Sequence, residues 1–125
     1  MGPKSFVASI TLALATLIAA ACAGRVSPLT PRVTPAGVEF VFVDAAAASV
    51  AVAGPFNQWS TTAHPLTRNG APGTWTIVVP LPPGDHPFMF VVDGTRWVSP
   101  PMAEEYVDDG FGARNGVVVV RPTAP

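Results

Sequence analysis

The chain has 125 residues, of which 49% are apolar and 12% charged, and its formal net charge is −1 at neutral pH. This length is enough for one domain of ordinary size, and the weak charge excludes the basic surface that nucleic acid binding requires. The single cysteine, Cys22, excludes an intrachain disulfide, so the fold must depend on its hydrophobic core.

The N-terminal segment has the pattern of a secretory signal. One charged residue, Lys4, precedes an apolar stretch that starts at Phe6 and ends in three alanines before Cys22. We therefore predict a signal peptide over residues 1–21. The apolar stretch is shorter than the roughly 20 residues of a membrane-spanning helix, which disfavours an uncleaved anchor.

Small residues before a cysteine resemble the lipobox of bacterial lipoproteins, in which cleavage leaves the cysteine as a lipidated first residue. Ala19 stands where that pattern usually has leucine, so the alternatives are signal cleavage without a lipid and an uncleaved anchor. With a lipid on Cys22, the protein is exported and membrane-anchored in a bacterial envelope, on the periplasmic or the surface side.

The next segment is rich in proline. Residues 22–36 contain prolines at every third or fourth position near their end, which prevents a helix and favours an extended spacer. We predict a tether over residues 22–36, a folded domain over 37–121 and a tail over 122–125.

After the prolines, apolar residues recur with the period of a β-strand. Val38, Phe40 and Phe42 share one face of the first predicted strand. The segment Ala47–Ala53 alternates more weakly. A helix through Ala45–Ala48 is the alternative, although Asp44 before it and Gly54-Pro55 after it leave any helix short.

The central strands are delimited by a turn signal. Thr74–Val79 alternates as a strand, and Pro82–Asp85 then predicts a hairpin turn to an antiparallel neighbour over His86–Val92. In that second strand, Met89 and Val91 point outward.

Asp93-Gly94 predicts another hairpin turn, leading to a short strand over Arg96–Val98, and Val117–Val120 forms the last strand. Six or seven short strands without a convincing helix predict an all-β antiparallel sandwich. The predicted core consists of six large apolar side chains: Phe40, Phe42, Trp75, Ile77, Phe88 and Phe90.

Several motifs follow one another between Val38 and Val120. They are, in order, Val50–Ser60 with Phe56-Asn57-Gln58-Trp59 inside it, Pro65–Arg68, Gly73–Trp75, Leu81–Gly84, Phe88–Gly94, Trp97 and Asn115. In this order and spacing they resemble the glycogen-binding module of the AMP-activated protein kinase β subunit, a family also found in front of isoamylases and branching enzymes. The resemblance implies an immunoglobulin-like (early-set) sandwich.

The resemblance also implies a sugar site. By position, Trp59 and Trp97 are the tryptophans that bind an α-1,4-linked glucan in the family, and Asn115 is the family's asparagine. Two positions depart from the pattern, because Met89 stands where the family has a lysine and Ala113 where it has a threonine. These departures bear on affinity and ligand more than on fold.

The residue types suit this chemistry. An indole offers a flat apolar surface to the C–H face of a glucose ring, and the hydroxyls at the ring edge need amide or charged partners, for which Asn115, Arg114 and Arg96 are candidates. Each assignment has a structural alternative. In the alternative for the tryptophans, Trp59 and Trp97 belong to the core. In the alternative for the asparagine, Asn115 is a turn residue with positive φ.

Met89 either contacts the sugar or packs against Val91. Trp75 lies within an alternating strand and is assigned to the core.

Other chemistry is poorly supported. His64 and His86 have no second ligand at metal spacing, so neither a metal nor another cofactor is expected. The acidic residues of 104–109 lack the ordered spacing of a calcium loop and fit a solvated connection. No catalytic constellation is recognisable, so an enzyme is not expected.

The leading hypothesis is a non-catalytic, lipid-tethered module that binds glycogen, starch or maltooligosaccharides and recruits the polysaccharide or a glucan-active enzyme. The alternative is an envelope protein–protein adaptor that uses the same sandwich without binding sugar. Met89 in place of lysine motivates this alternative, as does the lack of an attached catalytic domain.

Overall fold

The computed structural model describes residues 29–122, so the predicted signal peptide and Cys22 lie outside the described residues. The described chain contains a single-turn 3₁₀ helix (Pro55–Asn57) and β-strands. The strands are β1 (Arg32–Thr34), β2 (Gly37–Val43), β3 (Val50–Ala53), β4 (Thr67–Arg68), β5 (Thr74–Val79), β6 (Gly84–Val92), β7 (Arg96–Val98), β8 (Glu105–Asp108) and β9 (Arg114–Val120). Between residues 29 and 122 there is no helix with the length and hydrophobicity to cross a membrane.

The strands form two antiparallel sheets, which confirms the predicted sandwich. One sheet has the order β1-β2-β5-β4 and the other the order β3-β6-β9-β8, with β7 also paired to β6. Strand β1 lies within the segment predicted as a tether. Its Thr34 pairs with Gly37, because Pro35 and Ala36 turn the chain back onto β2 instead of leaving it extended.

The core lies between the two sheets and is rich in phenylalanine. Phe40 of one sheet meets Phe88 of the other with ring centroids 4.9 Å apart, and Phe42 meets Phe90 at 4.7 Å. Burial of each such ring contributes roughly 1.5–3 kcal/mol. Of the six predicted core residues, five are buried and Ile77 is partly buried against them.

The predicted hairpin at Pro82–Asp85 is wrong. Strand β5 pairs with β2 and β4, whereas β6 belongs to the opposite sheet. Three of the four residues between these strands are prolines. Proline has no N–H for a turn hydrogen bond and favours extended backbone, so the chain crosses from one sheet to the other. The hairpin at Asp93-Gly94 is confirmed, with positive φ at both residues.

The outward residues of β6 are buried. Val91 and Met89 face away from the main core, yet both are among the buried residues. Strand β6 is central, and Val91 lies directly between Ala51 of β3 and Trp97 of β7. Directly paired side chains share a face and lie close together, so these neighbours remove Val91 from solvent.

Candidate functional site

A groove lies on the outer face of the five-stranded sheet, opposite the phenylalanine core. Its volume is about 560 Å³, within the range of about 300–1,000 Å³ that is typical of small-molecule sites. The residues that line it are Trp59, Met89, Trp97, Asp109, Phe111, Ala113 and Asn115.

The register of β6 brings the strand residues of the groove together. One flank of β6 pairs first with β9, at Phe88 and Gly116, and then with β7, at Val91 and Trp97. Asn115 precedes Gly116, so it comes opposite Met89 on the outer face, two residues along β6 from Val91, the partner of Trp97. Three strands that are separate in sequence thereby supply one continuous surface.

Trp59 and Trp97 form a pair of accessible rings in this groove. Their ring centroids are 6.5 Å apart and their planes are inclined by 50°. The two residues are 36% and 43% exposed, so neither belongs to the core. Trp75, by contrast, is buried, and its indole N–H donates to the Asp44 carbonyl at 3.0 Å, as its assignment to the core requires.

The backbone at Trp59 is held in an uncommon conformation. Gln58 and Trp59 both have φ of 57°. This value lies in the left-handed region, which residues other than glycine, asparagine and aspartate rarely adopt. Such residues cost of order 1–3 kcal/mol each and persist where the surroundings fix them. The Trp59 N–H donates to the Gly54 carbonyl at 2.8 Å, which ties this turn to its own start.

Asn57 stabilises the same turn from inside. Its Oδ1 accepts from the backbone N–H groups of Gly54 at 3.1 Å and Ser60 at 3.2 Å. Its Nδ2 donates to the Val52 carbonyl at 3.0 Å and contacts Nδ1 of His64 at 2.9 Å. Because Nδ2 can only donate, this contact is a hydrogen bond in the tautomer whose Nδ1 accepts. His64 therefore has a structural partner in this turn.

Asn115 differs from Asn57 in having no such partners. The two asparagines are the buried polar residues of the described chain, at 9% and 6% exposure. The Asn115 side chain makes no hydrogen bond to any other described residue, although it lines the groove. Its φ is not positive and it lies inside β9, so the turn interpretation is wrong. Its amide is free to bond a ligand.

The structure does not bring the predicted arginines into the groove. Arg114 alternates with Asn115 along β9, and its guanidinium lies over the Tyr106 ring, 4.5 Å from the centroid. Arg96 pairs with Asp44 at 3.3 Å. Met89 lines the groove together with both tryptophans and Asn115, as part of its apolar surface.

Sequence reasoning missed Phe111 and Asp109. Both lie in the turn between β8 and β9, and both line the groove. Asp109 ends the acidic segment that was predicted as a solvated connection, most of which is strand β8, whereas Phe111 lies beyond that segment. Phe111 is 92% exposed, the most exposed large apolar side chain of the described residues. The available signal was an aromatic residue between two glycines, where no strand offers a core position.

The chemistry of the groove is that of a neutral, partly aromatic surface. Among the lining residues, Asp109 is the only one that carries a charge at neutral pH. Glycoside hydrolysis normally uses two carboxyl groups that flank the scissile bond, and this groove presents one. Elsewhere in residues 29–122, no group of three or more His, Cys, Asp or Glu side chains is placed to hold a metal ion. The arrangement suits stacking and hydrogen bonding.

Comparisons with known proteins identify the family. A family model described as the glycogen recognition site of AMP-activated protein kinase matches residues 38–125. The 5'-AMP-activated protein kinase subunit beta-1 of Bos taurus is 36% identical over 74 residues, which cover 59% of this chain and 25% of that protein. The protein of the same name from Sus scrofa is 35% identical over 72 residues, or 58% and 54% of the two chains.

A 1,4-alpha-glucan branching enzyme GlgB, from Hydrogenovibrio crunogenus, is 41% identical over 44 residues, which cover 35% of this chain and 6% of the enzyme. The matched region thus spans only about a quarter of the Bos taurus subunit and a small part of the enzyme. The family model, however, matches well over half of this chain. The chain therefore belongs to the family of the glycogen recognition site of AMP-activated protein kinase.

Proposed function

We propose that the groove binds an α-1,4-linked glucan, such as glycogen, starch or a maltooligosaccharide, and that it does so without catalysis. The observation that carries this proposal is the pair of exposed indoles, 6.5 Å apart and inclined by 50°, beside the Asn115 amide, which has no hydrogen-bond partner within residues 29–122. Successive glucose rings of a curved α-glucan present tilted faces, so two inclined platforms suit two sugar units of one chain.

The platforms supply most of the affinity. Burial of about 50–100 Å² of apolar surface on each indole, at about 25 cal/mol per Å², is worth about 1.3–2.5 kcal/mol. This corresponds to roughly a 10- to 60-fold change in affinity per tryptophan. Asn115 then donates to and accepts from the hydroxyls at the ring edge, which fixes the position of the chain on the platforms.

Affinity electrophoresis through amylopectin tests the proposal. The folded domain should be retarded in the presence of the polysaccharide, and the double variant Trp59→Ala/Trp97→Ala should migrate as it does without polysaccharide. Val43→Ala, an exposed position on the other sheet, is the matched control and should migrate as the wild type does. Unchanged mobility of the wild type at high amylopectin concentration would contradict sugar binding and favour the protein–protein adaptor.

The location of the domain is a separate part of the proposal. The apolar leader that ends at Cys22 supports export and a lipid anchor on that cysteine. A domain held in this way recruits glucan, or an enzyme that acts on glucan, to a bacterial envelope. Mass spectrometry of the N-terminal peptide from the membrane fraction decides the point. Diacylglyceryl-modified Cys22 supports the anchor, and an unmodified N-terminus contradicts it.

A further inference from the structure

The turn between β8 and β9 displays an aromatic ring with little support from the core. Phe111 lies between Gly110 and Gly112, whose φ angles are 85° and 93°. Glycine reaches these left-handed angles easily, but it also loses more conformational freedom than other residues on ordering. A ring on such a turn contributes to binding only when the turn is already ordered, because ordering it on binding would reduce the affinity.

Asp109 supplies that order. Its Oδ1 accepts from the Phe111 N–H at 2.7 Å and from the Ala113 N–H at 3.1 Å. Its own N–H donates to the Ala113 carbonyl at 3.0 Å. These three bonds close residues 109–113 into a compact turn, with Phe111 at its centre in sequence. Oδ2 of Asp109 has no partner among the described residues, so the Oδ1 bonds are the observed role of the carboxylate.

The neighbouring carboxylate does not share this role. Asp108 is exposed, ends β8 opposite Arg114, and does not line the groove. The two adjacent aspartates therefore have the same charge and nearly the same location, but only one of them organises the turn. This makes Asp108 a matched control for Asp109.

We propose that Asp109 is a positioning residue of the binding site: its carboxylate holds residues 109–113 so that Phe111 forms a third aromatic wall of the groove beside Trp59 and Trp97. The use of this wall by a glucan rests on the function proposed above. The ordering of the turn by Asp109 does not depend on it.

The ordering is tested without any ligand, by amide hydrogen exchange of Phe111 and Ala113 measured by NMR. In Asp109→Ala both amides should exchange about tenfold faster or more, because each loses its charged acceptor. In Asp109→Asn, which keeps an oxygen at the same position, and in Asp108→Ala, exchange should stay near the wild-type rate. Unchanged exchange in Asp109→Ala would overturn the proposal. Wild-type exchange rates at Phe88 show that each variant is folded.

The use of the wall is tested by calorimetric titration with maltoheptaose. Asp109→Ala and Phe111→Ala should each weaken binding about five- to tenfold. Asp109→Asn should bind nearly as the wild type does. The double variant Asp109→Ala/Phe111→Ala should bind no more weakly than Phe111→Ala alone. Wild-type affinity in Asp109→Ala, or independent effects that multiply in the double variant, would overturn the proposal. A wild type that does not bind maltoheptaose contradicts the proposed function instead, and hydrogen exchange still decides whether Asp109 orders the turn.

Discussion

Replacement of Asn57 by alanine tests how the Trp59 platform is built. The variant loses all four contacts of the buried amide and leaves the N–H groups of Gly54 and Ser60 without their acceptor. A buried group without a partner costs about 1–3 kcal/mol, so we expect the free energy of unfolding to fall by about 3 kcal/mol. For a domain of this size, that loss lowers the Tm by about 12–24 °C.

The assay is urea-induced unfolding followed by circular dichroism, combined with maltoheptaose titration under conditions in which the variant is folded. We also expect at least tenfold weaker binding, since the left-handed backbone of Trp59 depends on the same turn. Asn69→Ala is the control. Asn69 is exposed and its side chain makes a single 3.3 Å bond, to Thr76, among the described residues, so its replacement should change stability by less than about 0.5 kcal/mol.

Two results would contradict this role of Asn57. If Asn57→Ala unfolds within about 0.5 kcal/mol of the wild type, the buried amide does not stabilise the turn. If the variant is destabilised but binds maltoheptaose with wild-type affinity, Asn57 stabilises the fold without positioning Trp59.

Three further predictions concern packing and charge. Gly54→Ala should strongly destabilise the domain in urea unfolding, because a Cβ there overlaps the Pro87 carbonyl oxygen; wild-type stability would contradict this close approach. Phe88→Ala should lower the free energy of unfolding by about 3–5 kcal/mol, because Phe88 is fully buried. Phe111→Ala should leave the urea midpoint unchanged, because Phe111 is almost fully exposed. Equal losses of stability in the two variants would contradict the assigned burial. Enzymatic removal of phosphate esters from a phosphorylated amylopectin should strengthen its binding in affinity electrophoresis, because Asp109 is the only charged lining residue of the groove and repels phosphate. Stronger binding of the phosphorylated polymer would contradict this repulsion.

The sandwich could be predicted because its central strands alternate cleanly. Val38, Phe40 and Phe42 repeat every second residue and are all buried in β2. Short edge strands such as β4 (Thr67–Arg68) have too few residues for any period. The pairing of β5 and β6 was also mispredicted, because a proline-rich connection looks the same in sequence whether it turns within a sheet or crosses between sheets.

The candidate site could be predicted only in part. Trp59, Trp97 and Asn115 were predicted by family resemblance, and the register of β6 brings them into one groove. The last strand was predicted to begin at Val117, whereas β9 begins at Arg114. The alternation that turns Arg114 away from the face of Asn115 was therefore not expected. Phe111 was missed because its position depends on hydrogen bonds to one carboxylate rather than on any periodic pattern.

The most direct test of glucan binding in this groove is a titration of the domain with maltoheptaose, followed by the indole N–H signals of its three tryptophans in ¹H–¹⁵N NMR spectra. If a glucan lies across both indoles, the signals of Trp59 and Trp97 should shift with a common, saturable dependence on sugar concentration. The Trp75 indole, buried and bonded to the Asp44 carbonyl, serves as an internal control and should not move. Unshifted Trp59 and Trp97 signals at millimolar sugar, or an equal shift of all three, would contradict glucan binding in this groove.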